Sequence, residues 1–179
     1  MRAWLLTNTT YGTWLPGSER GSVTSVRDRR PYDDPTPVRI EHALPGEAYE
    51  DEIPALARAA REQLQGPPIH LDREQAEHVL AQFQETAAFR QWSLRAVAIM
   101  HNHYHLVVVL PEDPPPRKIL ADFKAYATRR LNCVYGERPS GTWWTSSGSK
   151  RKLKDDAALA AAIHYVLYEQ PNPLVVWSP

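Results

Sequence analysis

The stretch His103-Tyr104-His105-Leu106-Val107-Val108-Val109-Leu110 is the clearest strand signal in the chain, and Pro111 follows it directly. Its β-branched residues favour extended backbone, whereas proline lacks the N–H that a sheet ladder needs. A second apolar run, from Trp92 to Met100, precedes it. The intervening His101-Asn102 suits a tight turn, because Asn tolerates the left-handed region. The sequence therefore predicts a β-hairpin over residues 92–110.

Helical periodicity appears on both sides of this hairpin. Asp72 is placed to cap a helix that runs to about Phe89, and residues 117–134 keep apolar side chains at helical spacing. Three further elements are predicted: a first strand within residues 3–14, a short strand at Trp143–Thr145, and a helix from Asp155 to about Gln170. This order is typical of an α+β fold with helices packed on one face of an antiparallel sheet.

Residues 17–68 differ in composition from the rest of the chain. They are loop-like and rich in proline, with one short helix predicted from Ile53 to Leu64. Because this stretch has too few apolar residues for a core of its own, we expect a loop-rich insertion within a single domain spanning residues 1–179.

The bulk composition is that of a globular protein, with 42% hydrophobic and 23% charged residues. Cys133 is the only cysteine, which excludes an intramolecular disulfide and suits a reducing cytoplasm. No apolar segment approaches the length of a membrane span, and the run at Trp4-Leu5-Leu6 is too short for a signal peptide. We therefore expect a cytoplasmic protein without a membrane partner.

The net charge of zero conceals a strongly basic segment. Residues 117–154 contain ten Lys or Arg and two acids, a balance of 10 − 2 = +8. A local positive field of this size suits phosphates, although a solvated basic helix face is the alternative interpretation.

His103 and His105 are the first candidates for chemistry. Residues two apart on a strand point to the same face, so the two imidazoles can share a divalent cation, while Tyr104 points to the other face. The alternative is a pair of half-buried structural histidines. The literal His101-Asn102-His103 does not indicate an HNH nuclease, whose letters name positions spread over a ββα unit.

Tyr126 is the second candidate. It lies about 100° from the centre of the buried stripe on the helix that follows the hairpin. A tyrosine at that border could reach the sheet edge with an accessible hydroxyl, or it could be an ordinary amphipathic surface residue.

Two longer strings carry a resemblance to a known family. Residues 100–106 (Met-His-Asn-His-Tyr-His-Leu) and 123–132 (Phe-Lys-Ala-Tyr-Ala-Thr-Arg-Arg-Leu-Asn) resemble the HUH single-tyrosine transposases, especially their REP-associated branch. The stretches at residues 11–17 and 143–151 and the helix around Tyr165-Val166-Leu167 are similar as well. The resemblance covers nearly the whole chain except about residues 26–68.

The resemblance implies a ferredoxin-like fold and a specific chemistry. His103 and His105 would be ligands of Mg²⁺ or Mn²⁺, and Tyr126 would be the nucleophile. It would form a 5′-phosphotyrosine bond with single-stranded DNA that a free 3′-OH later reverses. The implied partner is single-stranded or hairpin DNA near the nucleoid, with a homodimer as one oligomeric alternative.

One position departs from the family pattern. Where related enzymes have a Gln or Asn ligand after the tyrosine, this chain has Arg130, which is always charged and does not bind cations. Asn132 and His101 are the alternative third ligands, and Arg130 would hold the phosphate instead.

The expected DNA contacts lie mostly in the basic segment. As phosphate ligands we predict Lys124, Arg129, Arg130, Lys150, Arg151 and Lys152. Trp144, or its neighbour Trp143, would stack on an unpaired base, unless these side chains belong to the core.

Two function classes follow from these residues. The first is an active transposase that nicks and joins single-stranded DNA beside a hairpin. The second is an inactive module on the same fold that binds hairpin nucleic acid, which the arginine at position 130 favours. An unrelated RNA-binding ferredoxin-like domain would leave the paired histidines unexplained.

Overall fold

The structure is a computed structural model that describes residues 2–19, 26–28, 38–40 and 52–179. The helices are α1 (Pro54–Glu62), α2 (Arg73–Phe89), α3 (Pro116–Tyr135) and α4 (Asp156–Tyr168). The strands are β1 (Ala3–Thr9), β2 (Val26–Asp28), β3 (Val38–Ile40), β4 (Ser93–Ile99), β5 (His103–Val109), β6 (Ser149–Leu153) and β7 (Val175–Trp177). None of the described helices combines the length and the apolar character needed to cross a membrane.

Five strands form one antiparallel sheet in the order β6-β1-β5-β4-β7. Without β7 and α4, the chain order β1-α2-β4-β5-α3-β6 and the sheet order β6-β1-β5-β4 are those of a split βαβ, ferredoxin-like unit. The predicted α+β class and the hairpin of β4 and β5 are confirmed.

The two faces of the sheet have different covers. Tyr104, Leu106 and Val108 point into a large core that includes Phe83 of α2 and Phe123 of α3. The intervening positions of the strands point to the other face, where α4 packs. The prediction that the helices lie on one face holds for α2 and α3 but is wrong for α4. The reason is that the second apolar cluster, centred on Val107 and Val166, needs a cover of its own.

A β-bulge in β4 explains an irregular apolar spacing. The register with β5 shifts between Leu94 and Ala96, which leaves Arg95 as the extra, exposed residue. Leu94 and Val97, three positions apart, therefore both reach the core under α2 and α3.

The last strands differ from the sequence prediction. Trp144 makes only an isolated bridge with Thr10, whereas the strand beside β1 is the basic stretch Ser149–Leu153. An edge strand with mostly exposed side chains has no apolar pattern, so this strand and the short β7 were not predictable from periodicity.

The described residues within 14–65 belong to a compact unit separate from the one made by residues 2–13 and 66–179. In it β2 pairs with β3, two strands that the sequence did not predict, and α1 confirms the predicted helix. Gly17 has a φ of +72°, and a Cβ there would lie 2.6 Å from the Ile53 carbonyl oxygen, so both conformation and space require glycine. The loops expected at residues 20–25, 29–37 and 41–51 lie outside the described residues, and the single-domain interpretation stays a prediction.

Candidate active site

The two histidines of β5 stand side by side on the face that α4 covers. Their ring centroids are 5.0 Å apart at an interplanar angle of 85°. His105 is buried, with 7% of its surface exposed, while His103 is half-buried nearer the end of the strand. The predicted same-face pair is therefore present.

Neighbouring oxygens anchor both rings. The Nδ1 of His103 lies 2.6 Å from Asn102 Oδ1, and the Nδ1 of His105 lies 2.6 Å from Thr7 Oγ1. Since an amide oxygen only accepts, the His103 Nδ1 donates this hydrogen bond. This anchoring through the second ring nitrogen is typical of metal-binding histidines.

His105 is held in its neutral form. Burial and the neighbouring His103 lower the pKa of His105 to about 3, because a charged imidazolium is poorly solvated there. A neutral imidazole is the form that binds a metal ion, so this environment keeps the ligand form populated at ordinary pH.

The C-terminal part of the chain brings two further groups to this pair. The ring of Tyr165, on α4, lies 5.3 Å from the His105 ring between centroids, at 73°. Gln170 also adjoins His105, whose pKa it raises through hydrogen bonding, and its Nε2 donates to the Tyr165 carbonyl oxygen at 3.0 Å. Tyr165 is 36% exposed, so its ring contacts the site without being sealed in the interior. A phenol and an amide thus adjoin the imidazoles.

Tyr126 lies elsewhere. It is on α3, which packs against the opposite face of the sheet through Phe123 and Ala127. There Tyr104, the strand residue between the two histidines, contacts Trp144 with ring centroids 5.3 Å apart. The prediction that Tyr126 approaches the imidazoles is therefore wrong, because the sheet separates them. The Arg129 guanidinium lies 5.2 Å from the Tyr126 ring centroid instead.

The expected alternatives for a third ligand are also engaged elsewhere. Asn132 Oδ1 accepts a hydrogen bond from Trp143 Nε1 at 2.7 Å on the α3 side. The exposed His101 stacks on His70, with centroids 5.4 Å apart. Arg130 pairs with Glu85 of α2 at 3.4 Å. Gln170 is the amide that contacts the histidine pair.

These groups fit a divalent cation. Within the described part of the chain no cluster of three His, Cys, Asp or Glu side chains occurs. Two imidazoles and one amide oxygen would leave further coordination positions for water and phosphate oxygens. Such a set suits Mn²⁺ better than Mg²⁺, which prefers oxygen throughout.

Part of the basic segment lines a groove on the other face, beside α3. This α3 groove has a volume of about 630 Å³ between α3 and residues 142–150. Its cationic lining residues are Arg117, Lys124, Arg129 and Lys150. Lys124 Nζ donates hydrogen bonds to the carbonyl oxygens of Thr145 and Ser146, and Lys150 Nζ to that of Gly148.

The remaining predicted DNA contacts lie outside this groove or in its floor. Lys152 pairs with Asp113 at 3.2 Å, and Arg151 sits on the α4 side of β6, two residues before the buried Leu153. Trp144 is 2% exposed and donates to Thr128 Oγ1 at 3.1 Å. The predicted base stacking by Trp144 is therefore wrong, and the alternative that both tryptophans belong to the core is correct.

Tyr165 and Gln170 were not singled out by the sequence analysis as site residues. The sequence pattern that could have identified them is the alternation along β5. It places His103 and His105 on one face of the sheet and the bulkier side chains of Tyr104, Leu106 and Val108 on the other. A long amphipathic helix such as α3 covers the bulkier face, which leaves the histidines to the last helix.

Comparisons with known proteins identify a family for this arrangement. The sequence profile of the family described as "Transposase IS200 like" matches residues 69–166, more than half of the chain. No curated protein matches. A solved structure described as "Structure of the REP associates tyrosine transposase bound to a REP hairpin" is similar at 11% identity, with a TM-score of 0.48. The alignment covers 92% of this chain and 63% of that one, so this chain spans less than two thirds of its length.

Proposed function

Because the chain belongs to the IS200-like transposase family, we propose that it nicks and rejoins single-stranded DNA with Tyr165 as the nucleophile. His103, His105 and Gln170 are the ligands of the divalent cation, Mg²⁺ or Mn²⁺, that this reaction uses. The observation that carries the proposal is the ring contact between Tyr165 and His105, 5.3 Å between centroids. The sequence-based choice of Tyr126 is replaced.

The bound cation would polarise the scissile phosphate and offset the negative charge that develops in the transition state. The protein supplies the rest. Asn102 and Thr7 orient the imidazoles through their Nδ1 atoms, at 2.6 Å each. α4 holds the phenol beside them, which converts the attack into an effectively intramolecular step.

The chemistry is a pair of balanced transesterifications. The Tyr165 oxygen attacks phosphorus and loses its proton, while the P–O3′ bond breaks and the leaving 3′ oxygen takes up a proton. This yields a 5′-phosphotyrosine and a free 3′-OH. In the reverse step another 3′-OH attacks the same phosphorus, and the P–O bond to Tyr165 breaks as the phenol is reprotonated. No external energy source is needed, because each step exchanges one phosphodiester for another.

The second candidate, an inactive binding module, rested on the arginine at position 130. Gln170 weakens that argument, because its side chain offers an amide to His105 from another element. We therefore favour the active enzyme. Its partner is single-stranded, hairpin-forming DNA in the cytoplasm, at the nucleoid, and the choice between monomer and homodimer stays a prediction.

The test makes the same Tyr→Phe substitution separately at the two candidate nucleophiles, Tyr165 and Tyr126. Wild type, Tyr165→Phe and Tyr126→Phe are incubated with end-labelled, hairpin-flanked single strands and Mn²⁺. We expect a denaturant-resistant protein–DNA adduct with wild type and Tyr126→Phe but none with Tyr165→Phe, because only Tyr165 adjoins the histidines.

The opposite outcomes are equally distinct. An adduct that Tyr126→Phe abolishes and Tyr165→Phe retains would restore the sequence-based assignment. Retarded DNA mobility without an adduct in wild type would establish the binding module.

A further inference from the structure

The turn that follows β1 carries a motif that the proposed function does not use. It is Tyr11-Gly12-Thr13-Trp14, at the start of the stretch 11–17 that is similar to the family. The chain reverses at Gly12, whose φ of +71° lies in the left-handed region that glycine adopts without strain. The reversal brings the Thr13 hydroxyl back to the Thr10 carbonyl oxygen, to which it donates at 2.9 Å. The hydroxyl oxygens of Thr10 and Thr13 consequently lie only 3.1 Å apart.

Both hydroxyls also reach one acceptor in the turn between β4 and β5. The main-chain oxygen of Asn102 lies 3.0 Å from Thr10 Oγ1 and 3.2 Å from Thr13 Oγ1. The backbone N–H of Thr10 donates to the same oxygen at 2.8 Å. These three donor groups of Thr10 and Thr13, here called the threonine clamp, surround a single carbonyl oxygen. The clamp therefore fixes the peptide that joins Asn102 to His103.

Asn102 connects the threonine clamp to the first histidine of the site. Its main-chain oxygen accepts from the clamp, and its side-chain Oδ1 lies 2.6 Å from His103 Nδ1. A peptide unit is planar, so the only soft torsions between the two side chains are the backbone dihedrals on either side of it. Holding this peptide therefore fixes the directions in which the amide of Asn102 and the imidazole of His103 leave the backbone.

The position of His103 in the strand makes this support necessary. His103 is the first residue of β5, so along the chain it has strand neighbours in one direction only, and its orientation depends on the preceding turn. That turn is held at both of its residues, because the His101 carbonyl oxygen accepts from Leu71 N and that of Asn102 from the clamp. Thr10 is fully buried, so water cannot take the place of its hydroxyl.

We propose that Thr10 and Thr13 are positioning residues for the metal ligand His103. Their hydroxyls hold the Asn102–His103 peptide in the orientation in which Asn102 Oδ1 meets the imidazole. This inference rests on the proposed function for the cation that His103 binds. It gives the turn after β1 a part in metal binding.

Threonine-to-valine substitutions test the clamp because they remove a hydroxyl and keep a β-branched side chain. Thr10→Val removes the buried donor, and Thr10→Ser restores it. Thr86→Val is the matched control: Thr86 is also buried, at 3% exposed, but it lies on α2, where its hydroxyl accepts from Gln82 Nε2 at 3.4 Å. Thr13→Val, at a half-buried position, tests the same acceptor if Thr10→Val does not fold.

The first measurement is Mn²⁺ affinity without DNA, from electron paramagnetic resonance of the free ion. One hydrogen bond is worth about 1 kcal/mol net, which corresponds to about fivefold in affinity. We expect Thr10→Val to bind Mn²⁺ about fivefold more weakly, whereas Thr10→Ser and Thr86→Val should keep the wild-type affinity. Thr13→Val should lose less, because water can replace a half-buried hydroxyl. Thermal denaturation of the valine variants shows whether affinity follows stability.

The second measurement needs neither metal nor DNA. The chemical shifts of the imidazole nitrogens, recorded by nuclear magnetic resonance at alkaline pH, report which nitrogen carries the proton, and His103→Gln assigns the signal. Because Asn102 Oδ1 only accepts, we expect a protonated His103 Nδ1 in wild type, Thr10→Ser and Thr86→Val. In Thr10→Val we expect a mixture of both tautomers, because a displaced amide oxygen no longer selects Nδ1.

Two results would overturn the assignment. One is a wild-type His103 tautomer in Thr10→Val, whatever the Mn²⁺ affinity of that variant. The other is an equal loss of Mn²⁺ affinity in Thr86→Val, which would reveal a general effect of reduced stability. Because the nitrogen shifts are recorded without metal or DNA, failure of wild type to bind Mn²⁺ or to nick DNA counts against the proposed function and leaves this test of the clamp intact.

Discussion

The hydrogen bond between Thr7 and His105 is the sharpest place to perturb the proposed metal site. Thr7→Val replaces the hydroxyl by a methyl of similar shape and leaves the imidazole Nδ1, now 2.6 Å from an oxygen, without that partner. Because His105 is only 7% exposed, water cannot easily replace the bond. Leaving a buried polar atom unpaired costs about 1–3 kcal/mol.

This cost converts directly into metal affinity. If the ring turns or changes tautomer to recover a partner, its Nε2 no longer faces the cation, and the affinity falls roughly 10- to 100-fold. We expect the Mn²⁺ concentration for half-maximal adduct formation to rise by that factor. Electron paramagnetic resonance of free Mn²⁺ measures the same affinity without DNA.

Thr9→Val is the matched control. Thr9 is on the same strand, but its hydroxyl contacts Thr145 Oγ1 at 2.9 Å. Unchanged Mn²⁺ affinity in Thr7→Val, or an equal loss in Thr9→Val, would refute the reasoning that the Nδ1 anchor orients a metal-binding ring.

Three further predictions concern other parts of the molecule. Gln170→Ala should weaken Mn²⁺ binding about tenfold, whereas Gln170→Glu, which restores an oxygen ligand, should recover it; equal affinity in all three proteins would exclude a ligand role. Binding of hairpin DNA should weaken from pH 7 to pH 9.5, because Lys124, whose pKa burial and then Lys150 lower to about 8, loses its charge as the pH rises. Lys124→Arg, which stays charged among the Arg117, Arg129 and Lys150 cations, should flatten that profile, and an equally steep one would contradict this role. Gly148→Ala should lower the free energy of unfolding by about 1–3 kcal/mol, because its Cβ would lie 2.5 Å from Asn8 Oδ1. In thermal denaturation the neighbouring Ser147→Ala serves as the control, and equal melting temperatures of the two variants would contradict the steric argument.

Elements with strong periodicity could be predicted from local sequence patterns. The alternation in residues 103–110 identified β5 and its same-face histidines, and Asp72 identified the start of α2, where it accepts from Gln75 N at 2.8 Å. The basic segment could also be recognised from its local charge, although the net charge of the chain is zero. Four of its cations line one groove. These features depend on near neighbours in the chain, so local patterns were sufficient to predict them.

Which helix packs on which face of the sheet depends on the three-dimensional packing of the whole chain. Tyr126 and Tyr165 are both amphipathic helical tyrosines after the hairpin, and nothing within either helix says on which side of β5 it packs. The larger apolar core, which includes Tyr104, Leu106 and Val108, is covered by α2 and α3. The face with the histidines is covered by α4. His105 and Gln170 come together because the apolar side chains on both faces of the sheet must be covered by helices. That requirement involves the whole chain, so no single stretch of sequence predicts the contact.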